Sequence, residues 1–304
     1  MLQTLRTALQ NPHRGALHIN RNFARNVVEQ VRPSSMIFEE EWDNLIILDA
    51  CRLDLFQQVL NRNGSIDFRW SAGSDSMEFI RQNTEGRVLN DVVWVSANPW
   101  VSEARDHVFK VKDVWDTGWN EELQTVLPET MKDAAIEAEE AHPNKRLVVH
   151  FMQPHYPFIG EFGRNALPSH RTFTGEGMVD VETEDKSIWE KLESGDVAKE
   201  DVWRAYRENL EMVYPVAKEL CSELTGRSVI TSDHGNEFGN RGYPIPIRLF
   251  GHPGGLRTKN LVKVPWIPFE DDERKEIQPA SGPIESEDSS EVIEDRLQAL
   301  GYHK

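Results

Sequence analysis

The sequence predicts an α/β protein, with a mainly parallel central sheet flanked by helices on both faces. Three observations predict it. Residues 45–48, 91–96, 146–152 and 228–232 form apolar runs too short for helices and rich in β-branched residues. The first of these is apolar at consecutive positions, as a strand covered on both faces is. Helical stretches fall between the runs, the alternation that gives parallel strands with right-handed crossovers.

The composition bounds what this fold can carry. At 304 residues and 38% hydrophobic, the chain has material for a real core. No apolar run approaches the ~20 residues of a membrane span. The N-terminus lacks a continuous apolar stretch of the secretory kind, so a cytoplasmic protein is expected. Two cysteines, Cys51 and Cys221, make no disulfide framework. A net charge of −17 speaks against nucleic acid bound through a broad basic surface. Nearly half of that excess falls in residues 270–296, which hold 11 acids and 3 bases.

Taken in order, residues 1–32 carry leucines and alanines at helical spacing with arginines between them. They read as a helical segment packed on its own domain, or as a basic amphipathic segment at a membrane surface. The strand 45–48 ends on Asp49, which is either the N-cap of the next helix or a ligand at a strand's carboxyl end. A helix over 53–61 closes at Asn63-Gly64. In the turn from Ser71, one of Ser74, Asp75 or Ser76 caps a helix starting near Met77. The strand 91–96 is turned out of the sheet by Asn98-Pro99, and a helix over 127–141 follows. The strand 146–152 contains His150, read as core, and runs into QPHYP, where two prolines forbid a regular element and leave His155 on a loop. Residues 160–200 read as a mobile insertion, and 201–224 as a long amphipathic helix. The strand 228–232 leads into DHGNEFG. After Arg248, LFGHPGG reads as a loop carrying His252, and 261–267 as a last short strand. The expected organisation is an N-terminal helical segment (1–39), a main α/β domain (40–268) and an acidic tail (269–304). The tail is disordered over 270–290 and helical over 291–300.

The unusual polar residues all follow predicted strands or lie in Gly/Pro loops: Asp49, Ser74, Ser76, His155, Asp233, His234 and His252. Carboxyl ends of parallel strands share one edge, so these distant residues converge there. Two carboxylates, an imidazole and a hydroxyl form a ligand set for a divalent cation. The O/N mixture suits Mn²⁺ or Zn²⁺, and an oxygen-richer set Mg²⁺ or Ca²⁺.

Four stretches, in order, carry a resemblance. TSDHGNEFG resembles the SDHGE-type metal motif of the alkaline phosphatase/sulfatase superfamily, and ILDACRLD resembles the first metal-binding strand of sulfatase-like hydrolases. QPHYP and GHPGG resemble the two histidine loops of that group. The resemblance covers roughly residues 40–268 and implies an alkaline phosphatase-like catalytic domain. It implies Asp49, Asp233 and His234 as metal ligands and a serine nucleophile as the fourth, Ser76 or Ser74. Ser76 is preferred because it directly precedes the helix. It also implies that His155 and His252 contact the transferred oxyanion or its leaving group, or hold a second metal, and it makes Arg52 a candidate for binding the oxyanion. The C/S-x-P-S-R segment of formylglycine sulfatases is not found, so an unmodified serine acting on phosphoesters or phosphonoesters fits better than sulfatase chemistry. The expected activity is a metal-dependent hydrolase or transferase of phosphate-, phosphonate- or sulfate-type esters, glycan- or lipid-linked substrates included. The alternative is an inactive relative that binds an anionic glycan or lipid head group.

Overall fold

Strands that are apolar on consecutive residues need cover on both faces, and the computed structural model supplies it. The structure describes residues 12–60, 66–167, 173–174, 177–178, 186–271 and 273–281. In chain order the main elements are α1 (Pro12–Phe23), β1 (Asn44–Leu48), α2 (Leu53–Val59), β2 (Phe68–Trp70), α3 (Ser76–Thr84), β3 (Leu89–Ser96), β4 (Val108–Asp113) and α4 (Pro128–Ala141). They continue with β5 (Arg146–Phe151), α5 (Glu161–Ala166), α6 (Ile188–Ser194), α7 (Lys199–Glu223), β6 (Ser228–Thr231), β7 (Glu237–Arg241), β8 (Arg248–Gly251), α8 (Lys259–Val262) and β9 (Lys263–Phe269).

Seven strands form one sheet in the order β2-β9-β6-β1-β5-β3-β4. Five of them, β6 to β4, run parallel. β9 and β2 extend one edge antiparallel. Side chains alternate between two cores with the period of a strand. Ile46 and Leu48, Val93 and Val95, and Leu147 and Val149 face the core shared with α2, α4 and α7. Leu45 and Ile47, Val92 and Trp94, and Val148 face the core shared with α3. The 25-residue α7 buries Val202, Ala205, Tyr206, Asn209, Leu210 and Val213, a stripe at three- and four-residue spacing, and tolerates Pro215 within it.

The sheet differs from expectation at its edges. The short β2, β4 and the β7–β8 hairpin were not anticipated, because half-buried strands carrying Arg, Lys and Asp give no apolar run. LFG before His252 is strand, paired with β7, and not loop. Residues 273–281, expected to be disordered, lie across the starts of the central strands. Arg274 pairs with Asp43, and Lys275 with Asn44 and Glu139. The Gln278 and Ala280 amides donate to Asn144 and Asn90 carbonyls. Alternating strand-side partners, not apolar burial, order this segment. The N-terminal helix continues from α1 through a π-helical turn (Ala24–Val28). The expected turn at residues 63–64, most of the insertion between 168 and 185, and the expected helix 291–300 lie outside the described residues.

Candidate metal centre

The carboxyl edge of the parallel strands brings the polar residues together. In the register, Ile47 of β1 lies beside His150 of β5, which lies beside Ser96 of β3. Asp49 follows two residues after Ile47, on the same face. The β6 end delivers Asp233 and His234. The first residue of α3 delivers Ser76, with Asp75 as N-cap accepting from the Glu78 amide at 2.7 Å.

Two backbone features fix the first carboxylate. Ala50 sits in the left-handed region at φ 57°, a conformation that costs a non-glycine residue about 1–2 kcal/mol. It is tied in place: its amide donates to Asp233 Oδ1 at 2.9 Å, and its carbonyl accepts from the Tyr206 hydroxyl. The next amide, of Cys51, donates to Ser232 Oγ at 2.8 Å. The β1 and β6 loops are therefore cross-linked around the two aspartates. An observed outlier beside a polar cluster is where strain marks function.

Asp49, Ser76, Asp233, His234 and His150 are all buried. Ser76 Oγ lies 2.7 Å from Asp233 Oδ2, 3.3 Å from Asp49 Oδ2 and 3.3 Å from His234 Nε2. His234 Nε2 is 3.5 Å from Asp233 Oδ2 and 3.8 Å from Asp49 Oδ1. Ligand atoms of Asp49, His150 and Asp233 all lie within 4.8 Å of one another. Asp49 Oδ1 and His150 Nε2 are buried without a hydrogen-bond partner. Oxygen and nitrogen atoms bound to one ion at ~2.0–2.2 Å stand about this far apart. Donor chemistry, spacing and orphaned buried atoms thus fit a divalent metal.

The electrostatics agree. Burial opposes ionisation of Asp233, yet the His234 and His150 imidazoles hold its carboxyl well below the usual carboxylate range. Burial would lower His150, but Asp233 and Asp49 raise it to about 9. His234 is raised against its burial by the same two carboxylates. Without a metal, imidazolium groups supply the positive charge that two close carboxylates require.

The two histidine loops meet over this cluster. His155 Nε2 lies 3.0 Å from His252 Nε2, and the His252 ring is 4.8 Å from that of His234. Burial lowers both His155 and His252, and the neighbouring His234 lowers them further. A buried asparagine of α7 holds the first loop: Asn209 Nδ2 donates to the carbonyls of His155 and Pro157, and its Oδ1 accepts from Ile159. The second loop leaves β8 at Gly251, where φ is 63° and an added Cβ would meet the Trp189 ring at 2.8 Å.

The structure brings together Asp49, Ser76, Asp233, His234, His155 and His252. Ser74 is engaged elsewhere: its hydroxyl donates to Glu78 Oε2 at 2.8 Å and accepts from the Leu256 amide. Arg52 is not brought in. Its guanidinium binds Asp54, the Asn236 carbonyl and Asn260, and covers Trp203. Cys51 is buried, and burial together with Asp54 and Asp233 holds its thiol well above the ordinary value. Two residues were missed. His150, read as core, is core and cluster at once. Asn98, read as a turn residue, donates from Nδ2 to Asp49 Oδ2 at 2.7 Å and to Ser76 Oγ at 3.0 Å. Its signal was its position, just past a buried strand on the shared edge.

No family model matches the chain, and no curated protein matches it. Solved structures do. The integral membrane protein lipooligosaccharide phosphoethanolamine transferase A (EptA) of Neisseria meningitidis is 12% identical, with a TM-score of 0.49. That alignment covers 75% of this chain but 47% of the other, so the chain spans less than half of that membrane protein. The C-terminal periplasmic domain of EcEptC from Escherichia coli, in complex with Zn, is 12% identical with a TM-score of 0.46, over 75% of this chain and 72% of that one. A protein in the alkaline phosphatase superfamily from Vibrio parahaemolyticus is 10% identical with a TM-score of 0.41, over 78% and 60%. The cytoplasmic placement expected from the sequence does not stand, because similar structures are periplasmic domains. Among the described residues no helix is long and apolar enough to cross a membrane.

Proposed function

We propose that this alkaline phosphatase-type fold carries a metal-dependent enzyme that cleaves or transfers phosphate-type esters through Ser76. One observation carries the reading: a serine hydroxyl at the first position of α3 points into two buried carboxylates, 2.7 and 3.3 Å away. Asp49, Asp233, His234 and Ser76 would hold the metal, with His150 behind the two aspartates. When bound, the metal would supply Lewis-acid charge to the ester oxygens and lower the pKa of the hydroxyl.

The chain's own groups supply the rest. Ser76 Oγ donates its proton toward Asp233 Oδ2, which leaves the oxygen lone pairs for attack on phosphorus. Asn98 Nδ2 holds that oxygen in line from the side. The first turn of α3 directs backbone N–H groups and the positive end of its dipole at the incoming anion. The bond from Ser76 Oγ to phosphorus forms as the bond to the leaving alcohol breaks. The departing oxygen takes a proton from the His155–His252 pair, whose Nε2 atoms lie 3.0 Å apart. Water or an acceptor alcohol then displaces Ser76, whose oxygen recovers its proton from the Asp233 side, and the same pair takes up the incoming proton. Ser76 is followed by Met-Glu-Phe and not by the formylglycine-type segment, so phosphate and phosphonate esters are preferred to sulfate esters.

The test is the metal content of purified protein, with turnover of p-nitrophenyl phosphate, phenylphosphonate and sulfate esters, with and without an added alcohol acceptor. Wild type is compared with Ser76→Ala. Bound metal with turnover by wild type alone supports the reading. Turnover that survives Ser76→Ala, or an Asp233→Ala protein that retains the metal of wild type, sinks it.

A further inference from the structure

Exposed large apolar side chains are few among the described residues: Ile19, Val27, Val31, Val88, Met212 and Tyr243. Three of the six lie on the N-terminal helix, and Tyr243 packs edge-on against Phe23 of that helix at 6.0 Å. Ile19, Phe23, Val27 and Val31 recur every four residues, so they form one stripe. Its outer part is not a core face, since Val27 is 43% and Val31 74% exposed. Phe23, Val27 and Val31 of the stripe line a groove of about 580 Å³ between this helix, the β7–β8 hairpin and α8. That volume is in the range of small-molecule sites.

The opposite wall is cationic. Arg241 and Lys259 line it, and neither has a carboxylate partner among the described residues. Arg241 also lies directly across from Arg248 in the hairpin. Like charges in that position destabilise a pair of strands unless an anion lies between them. The groove's carboxylate, Glu237, is already engaged: Oε1 accepts from Thr258 and Oε2 from Asn260. In a chain of net charge −17, a groove with an apolar wall facing unpaired cations is complementary to one kind of molecule. We propose that it binds an anionic amphiphile, one alkyl chain with a phosphate- or sulfate-like head. The chain lies along Val27 and Val31, and the head reaches Arg241 and Lys259.

The site stands apart from the metal centre and does not rest on the function proposed there. The hairpin nevertheless joins the two. β7 begins three residues after His234, and β8 ends one residue before His252.

The test is titration calorimetry of the full chain with dodecylphosphonic acid, which has no ester to cleave, against inorganic phosphate. The alkyl ligand is expected to bind at least about tenfold more tightly than phosphate, because its methylenes are buried. Val27→Glu and Arg241→Glu should each weaken it by about tenfold or more, while Ser76→Ala leaves it unchanged. Val31→Asp, at a position 74% exposed, repeats the test without risk to the fold. The proposal is overturned if the groove variants bind as wild type does, or if phosphate alone binds as tightly. It is also overturned if Asp233→Asn abolishes binding, which would place the ligand at the metal centre. A wild-type dimer that Val27→Glu dissociates would overturn it too, assigning the stripe to a second copy.

Discussion

Asn98 touches both the first carboxylate and the serine hydroxyl through a single NH₂ group. Asn98→Ala removes a donor aimed at the reacting oxygen and frees Asp49 to rotate. The expected outcome is a loss of about 10²–10³ in kcat, with KM changed far less. Steady-state rates on p-nitrophenyl phosphate check it, and an equal change in both constants would count against the role. His150 acts one step further out, against the back of Asp49 and Asp233 at 3.4 and 3.5 Å. His150→Gln should weaken metal affinity about 10–100-fold, read by chelator competition. In metal-stripped protein the sign of its pH effect is fixed. Its folded value, about 9, lies above the ordinary 6.5, so its stabilising contribution is complete below about pH 6.5 and is lost as pH rises through about 9. Urea melts between pH 6 and 10 should show that fall in wild type and a smaller one in His150→Gln, where only His234 is still raised by the two carboxylates.

The elements decide which of these residues a sequence can disclose. Asp49, Asp233 and His234 were legible because each sits at the end of an unbroken apolar run, so its strand end could be placed. Ser76 was legible for the matching reason at a helix start. His150 was hidden inside its strand: a lone histidine in LVVHF looks like any buried side chain, and only the β1–β5 register sets it beside Asp49. Arg52 failed for a geometric reason, because a side chain four residues past a strand end was free to turn away to Asp54 and Asn236. Asn209 had no local signal, as a polar residue in the buried stripe of α7 is explained only by the loop it holds. Asn209→Ala leaves three carbonyls and one amide without that partner. A destabilisation of about 2–3 kcal/mol is expected, with turnover falling more than metal content, since His155 loses its support. Chemical denaturation and metal analysis of one preparation separate the two effects.

At the scale of the whole molecule, residues 273–281 act on the edge of the sheet opposite the site. They bring Arg274 to Asp43, whose side chain is 2% exposed, and Lys275, 1% exposed, to Glu139. Lys275→Ala should cost about 3 kcal/mol, because it leaves Glu139 and Asn44 facing an empty buried position. Thermal melts should show the loss, and the specific activity of the folded protein should stay at the wild-type value. An acidic, Ser- and Pro-containing segment reads as unfolded when composition alone is weighed. Its order depends on partners far away in the chain, which composition does not encode.

The amide of Ala50 and the carboxylate of Asp233, 183 positions apart, meet in one hydrogen bond at the heart of the site. That separation sets an order of events in time. Nothing before β6 has been made can complete the ligand set, so a chain still emerging from synthesis holds Asp49, Ser76 and His150 without their counter-residues. On the proposed reading, metal capture is then a late step that seals a finished sheet and cannot template it. Refolding in excess chelator should proceed at the same rate as refolding in excess metal, and the difference should appear only afterwards, in how slowly the loaded protein comes apart.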